Sequence, residues 1–285
     1  MQPGQPTPGV PTAIRIAIGV VAVALLIPHG CSSPESADRI GLARVYSGDE
    51  PHYLVLLNSI VRDWDFDVAN NYRGMHQGDD EAGQRFRGGS LDHHTAWIAN
   101  GRYVSWPEVY EWYGDLWDHD AAGHPVPKLR AGFDSTFAAT RETSMHWPGL
   151  PLFLTPFVFL LAGTSWLEPA AILSAWVALV LAMFSFVSIA RTFGASTRAT
   201  VIALVLTFLG TPIWHYSRAL FSEPFALSCV LGAYALLFGP RRVFLAGLLC
   251  GACLLLKATF LMMIAFGGGL TEIHFVAVMR STCGA

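Results

Sequence analysis

"HWPGLPLFLTPFVFLLAG", residues His146 to Gly163, is the stretch on which the fold turns. It is apolar enough for a bilayer, but Pro148, Pro151 and Pro156 interrupt its backbone, and Pro148 to Gly163 is only 16 residues. A helix that crosses the hydrocarbon needs about 20. If the stretch crossed, with the amino terminus inside, the turn from Arg191 to Arg198 and the pair Arg241-Arg242 would both face outward. That breaks the positive-inside rule twice. If it lies along the outer interface, both basic turns become cytoplasmic. The second arrangement is adopted.

Working outward, the other apolar runs become spans near residues 13–29, 168–190, 199–214, 223–239 and 243–257. The fold class expected is an all-α membrane protein, a polytopic helical bundle whose long extracytoplasmic first loop carries two interfacial helices. Its parts are a tip and first transmembrane helix (1–30), the loop (31–167, interfacial helices near 50–63 and 148–163), a transmembrane bundle (168–266), and a tail (267–285) that reads as truncated or frameshifted. The first run also admits a lipoprotein reading at Cys31, but Pro28 stands where such a cleavage box wants an aliphatic residue, so a signal anchor is preferred.

Composition agrees. Hydrophobic residues are 53% of 285 and charged residues 14%, too little polar surface to cover a soluble globule of this size. The net charge of −3 hides a split. Between Cys31 and Pro148 lie 18 of the 21 carboxylates but 10 of the 18 Lys and Arg, a balance of about −8 in the loop against a basic remainder. Five cysteines at irregular spacing suggest no disulfide framework and read as small packing residues. Nothing resembles a nucleic-acid module, so no nucleic-acid partner is expected. "DHH" (92–94) and "DHDAAGH" (118–124) read as solvated loop before metal site, because no periodicity converges them.

Within the loop, "YSGDEPHYLVLLNSIVRDWDF" (Tyr46 to Phe66) sets Asp49 and Glu50 before an apolar-periodic run. Pro51 starts a helix, and Tyr53, Leu54, Leu56, Leu57, Ile60 and Val61 recur at helical spacing, so an amphipathic helix on the membrane is expected. A carboxylate before a helix is usually its cap, worth about 1 kcal/mol. One cap needs one acid; the second adds repulsion unless a cation, a metal ion or a reacting hydroxyl uses it. Both readings stay open. In "SRALFSEPF", Arg218 and Glu223 fall at the outer mouth of a span, where ionisable residues are costly and so functional or paired. Lys257, inside "CLLLKATFLMM", falls near the same boundary, with a snorkelling lysine as the bland reading.

The order of these pieces, "SGDEPHYL", "FDVANNY" (66–72), the His146 stretch, "GTPIWHYSRALFSEPFAL" and "GLLCGACLLLKATF", resembles the GT-C membrane glycosyltransferases, and more narrowly the bacterial branch related to protein O-mannosyltransferases and the lipid A aminoarabinose transferase. The resemblance covers most of Ile14 to Phe266. It implies that Asp49, with Glu50 beside it, is the catalytic base or a metal ligand, that "PGLP" belongs to the second interfacial helix, and that Glu223 is the acidic position after the third span. Arg218 and Lys257 fall where such enzymes place cations near a lipid phosphate, and His146 joins them as a substrate-binding candidate. The implied reaction moves a sugar from a polyprenyl-phosphate donor to an acceptor hydroxyl on a glycan, lipid or protein, at the outer face of the cell membrane. The resemblance implies no certain cofactor, and a divalent ion at Asp49 and Glu50 is an open reading. The competing classes are a non-catalytic membrane protein and a transporter; the latter would place its charges at mid-membrane in repeated halves, and no repeat is seen.

Overall fold

A computed structural model describes residues 9–26, 49–68, 71, 95–99, 102–105, 111, 117–119, 121, 125–132, 142–161, 166–239 and 242–257, which are mostly helical. The chain divides into two compact units, residues 43–172 and residues 1–42 with 173–285.

The helical unit contains α1 (Thr12–Leu26), most of α4 (Leu167–Thr192), α5 (Thr197–Leu209), the single turn α6 (Ile213–Tyr216), α7 (Glu223–Phe238) and α8 (Val243–Leu256). In α1, Ile14, Ile18, Val21, Ala22 and Leu25 are buried. Their spacing of three and four residues draws one stripe along the helix, while Ile16, Val20 and Val23 stay outside. The stripe packs on Leu179, Met183 and Val187 of α4 and on Leu204 and Phe208 of α5. Two side chains then bond carbonyls near the end of α1: Trp176 Nε1 donates to Ala22 O at 2.9 Å, and Ser217 Oγ donates at 2.8 Å to Leu25 O, one of the last four carbonyls, which have no partner within the helix. Helix α5 starts at Ser196, whose hydroxyl accepts from the Ala199 amide at 3.2 Å. Helices α7 and α8 pack together at Gly232, where a Cβ would lie 3.0 Å from Leu249 Cδ1.

The starts and stops of these helices fall within a few residues of the apolar runs, except at the end of the run from 199, which α5 leaves at Leu209. Among the described residues α4, at 26 residues, is the one helix long and apolar enough to cross a membrane, about 39 Å at 1.5 Å per residue. The other apolar helices run 10 to 16 residues, about 15–24 Å against a hydrocarbon thickness of about 30 Å.

The polar unit holds α2 (Glu50–Asn58), a π-helical turn (Ser59–Asp63), α3 (Gly149–Val158) with a 3-10 turn (Phe159–Leu161), and two small antiparallel sheets. Strands β1 (Thr95–Ala99), β2 (Arg102–Ser105) and β5 (Glu142–Ser144) pair in the order β2-β1-β5, and β3 (Trp117–His119) pairs with β4 (Pro125–Pro127). The expectation of an all-α chain is therefore corrected here. The strands are three to five residues long and lack the alternation that announces a half-buried strand. Sheet and helices are joined by an acidic network: Ser59 Oγ donates to Asp65 Oδ1 at 2.9 Å, the Asp67 amide to the same carboxylate oxygen at 3.0 Å, and the Glu142 amide to Asp67 Oδ1 at 3.1 Å. The Glu142 side chain in turn accepts from Thr95 Oγ1.

The two stretches expected as interfacial helices are both helical but differ in surroundings. All nine residues of α2 are buried, His52 and Asn58 included, so this helix shows no solvent or lipid face. Helix α3 is one-sided: Leu150, Leu154 and Val158 are buried at a spacing of four while Phe157, Phe159 and Leu160 are exposed. Pro156 lies inside it, and Thr155 Oγ1 donates to the Pro151 carbonyl at 2.9 Å, meeting an acceptor near the break. The stretch 27–48, including Cys31, the "DHH" at 92–94, His124 and the tail beyond Lys257 lie outside the described residues.

Candidate functional site

Helix α2 begins with Pro51 in its first turn and Asp49 at the N-cap position. The Asp49 side chain accepts no capping hydrogen bond. The bland reading of this carboxylate, a cap, is therefore not how the residue is used. Glu50, the second acid, is 4% exposed in the first turn of α2, where the positive end of the helix dipole favours a carboxylate.

Asp49 faces His146, which precedes α3: Asp49 Oδ2 lies 3.8 Å from His146 Nδ1. The Asp49 side chain is 49% exposed and that of His146 12%, so an open oxygen meets a mostly covered imidazole. The separation is too long for a hydrogen bond and is that of a charge pair when the imidazole is protonated. Apo sites often hold such pairs loosely and tighten when substrate arrives. His146 is held in turn. Its amide donates to Ser144 Oγ at 3.1 Å, its ring stacks on buried His52 with centroids 5.0 Å apart and planes at 12°, and Tyr53 leans on it at 5.3 Å.

His52 and Tyr53 were not singled out from sequence. A signal existed, since they stand three and four residues after Asp49, on the same side of a helix. By spacing alone Tyr53 belongs to the apolar face of that helix. Among the described residues no three His, Cys, Asp or Glu converge as metal ligands. Asp118 and His119 sit exposed on β3, where the His119 amide donates to its neighbour's carboxylate at 2.9 Å, a local turn contact.

In the helical unit Glu223 opens α7, followed by Pro224. Lys257 ends α8, with Nζ 3.7 Å from Glu223 Oε1. An acid at a helix start and a base at a helix end each suit the helix dipole. The two side chains are 37% and 42% exposed; such a pair contributes about 0–1 kcal/mol. Arg218, between α6 and α7, is 8% exposed. Beside Glu223 is a cavity of about 200 Å³ walled by Leu179, Ile213, Tyr216, Pro224, Ala226, Leu227 and Val230, apolar except for the tyrosine and the carboxylate. The structure brings Asp49 to His146 in one unit and Glu223 to Lys257 in the other.

No protein-family model, curated protein or solved structure matches this chain.

Proposed function

We propose that the chain is a multi-pass membrane glycosyltransferase of GT-C type that transfers a sugar from a polyprenyl-phosphate donor to an acceptor hydroxyl at the extracytoplasmic face. The observation that supports this reading best is the approach of Asp49 to His146, 3.8 Å across 97 residues of chain, with the carboxylate free of capping duty. In the reaction, Asp49 takes the proton of the acceptor hydroxyl as its oxygen attacks the anomeric carbon. The bond from that carbon to the phosphate oxygen breaks, and the lipid phosphate leaves with the electron pair. Negative charge grows on the departing phosphate. Within the helical unit Glu223 holds Lys257 at 3.7 Å, and that lysine and Arg218 are the cations suited to a lipid phosphate. The apolar cavity beside Glu223 has the chemistry to take part of a hydrocarbon chain.

One observation favours a non-catalytic second reading: Glu223 and Lys257 answer each other's charge, as a purely structural pair would. Transfer of labelled sugar from a polyprenyl-phosphate donor by the membrane-reconstituted chain separates the two. Under the enzymatic reading the Asp49→Asn variant loses about 10²-fold or more of its rate. Equal turnover by that variant removes Asp49 from the mechanism, and absence of transfer by the unaltered protein leaves the non-catalytic reading standing.

A further inference from the structure

The polar unit keeps an unexplained aromatic edge outside. The segment "DWDFDV" (63–68) alternates acids with aromatics, and the two kinds of side chain part company. Asp65 and Asp67 are taken up by the network that ties Ser59 to Glu142, while Trp64 is 80% and Phe66 41% exposed. Trp64 also has a φ of 60°, in the left-handed region that a bulky residue rarely enters. Arg62, next to it on the π turn, is exposed as well.

The composition of this edge, two aromatic rings beside a guanidinium, is that of a membrane interface, where indole rings sit among headgroups and basic side chains meet lipid phosphates. Position points the same way. The π turn that Trp64 ends packs on α3. Residues 149–161 carry no charge and leave Phe157 and Leu160 exposed. From Leu161 to the start of α4 at Leu167 the chain has five residues to span, a reach of at most about 20 Å. The end of α3 is thus leashed to the helix long enough to cross a membrane, and the π turn is packed against α3.

We propose that Trp64 and Phe66 form a lipid-inserting wedge at headgroup depth, a second membrane contact of the polar unit besides α3. Two separated contacts resist the rocking that a single interfacial helix allows. The inference rests on the reading that α4 crosses the bilayer.

The test uses the full chain with its five cysteines replaced by alanine, reconstituted into vesicles of phosphatidylcholine and phosphatidylglycerol. A bimane fluorophore is placed in turn on Trp64→Cys, Phe66→Cys, Asp118→Cys as an exposed polar-unit control, and Leu181→Cys on the exposed side of α4. The expected result is quenching of the labels at 64 and 66 by shallow spin-labelled lipid about twofold or more above that at 118, with protection from aqueous iodide. The label at 181 should respond to the deep lipid quencher. If 181 is lipid-quenched while 64 and 66 behave like 118, the wedge is overturned and the membrane reading survives. Labels at 64 and 66 shielded from both quenchers mean that protein covers this edge, which also overturns it. If 181 is not lipid-quenched, both ideas fall.

Discussion

His146 stacks its imidazole on the buried ring of His52 at 5.0 Å while its Nδ1 stands 3.8 Å from the half-exposed carboxylate of Asp49. One side of the ring is therefore structural and the other faces an accessible acid. The two contacts should respond differently to substitution.

Asp49→Asn should leave the thermal midpoint nearly unchanged, because the half-exposed carboxylate stands beyond hydrogen-bond distance and such a loose pair contributes about 0–1 kcal/mol. His146→Ala, which removes the contacts with His52 and Tyr53, should cost about 1–2 kcal/mol. Thermal unfolding of the detergent-solubilised variants checks this. A larger loss from Asp49→Asn than from His146→Ala would reverse the assignment.

Ser217→Ala should destabilise the helical unit by about 0.5–2 kcal/mol. It removes the hydroxyl that donates to Leu25 O at 2.8 Å and leaves a buried carbonyl at the end of α1 without that partner. Trp176→Phe, which deletes the donor to Ala22 O and preserves most of the ring, should act in the same direction. Denaturation in matched detergent would show it; two neutral substitutions would mean that α1 is held by its apolar stripe alone.

At Gly232 the size of the substituent should decide the outcome. Alanine puts its Cβ 3.0 Å from Leu249 Cδ1, the movable end of a flexible side chain, and gains about 1 kcal/mol of helix propensity, so little net change is expected. Leucine has nowhere to go between α7 and α8 and should cost about 1–3 kcal/mol. Equal stability of the two variants would indicate a looser contact than the structure shows.

A single-cysteine reporter at Ser196, in the turn between α4 and α5, should be labelled only from the cytoplasmic side, and one at His119 only from the opposite side. Impermeant maleimide applied to right-side-out and inverted vesicles distinguishes them. Labelling of both positions from one side would remove the topology that the two basic turns imply.

Much of the helical unit was legible because its helices are written as runs of apolar residues, and each run marks its own ends. The helix from Glu50 was legible too, through Pro51 and the periodic Tyr53, Leu57 and Ile60. Its surroundings were not: apolar spacing says which residues want cover, and here His52 and Asn58 on the remaining sides are covered as well. The sheet escaped notice since β1 and β5 pair Thr95 with Ser144 and Trp97 with Glu142 across more than forty residues, with runs too short to carry a period. Of the site, both acids and His146 were picked out one at a time. The approach of His146 to Asp49 was not, because contact between residues 97 apart is a product of the folded chain and leaves no mark on local spacing.

The hydrogen bonds that end α1 also bear on how the protein is made. Trp176 and Ser217 lie 154 and 192 residues downstream of the carbonyls they satisfy. At ribosomal speeds of about 5–20 residues per second, the first helix waits on the order of 10–40 s before Ser217 is synthesised. Throughout that interval the stripe from Ile14 to Leu25 lacks the faces of the helices at 167–192 and 197–209 that will cover it, so the first helix to be translated must wait for later ones before its own packing is complete.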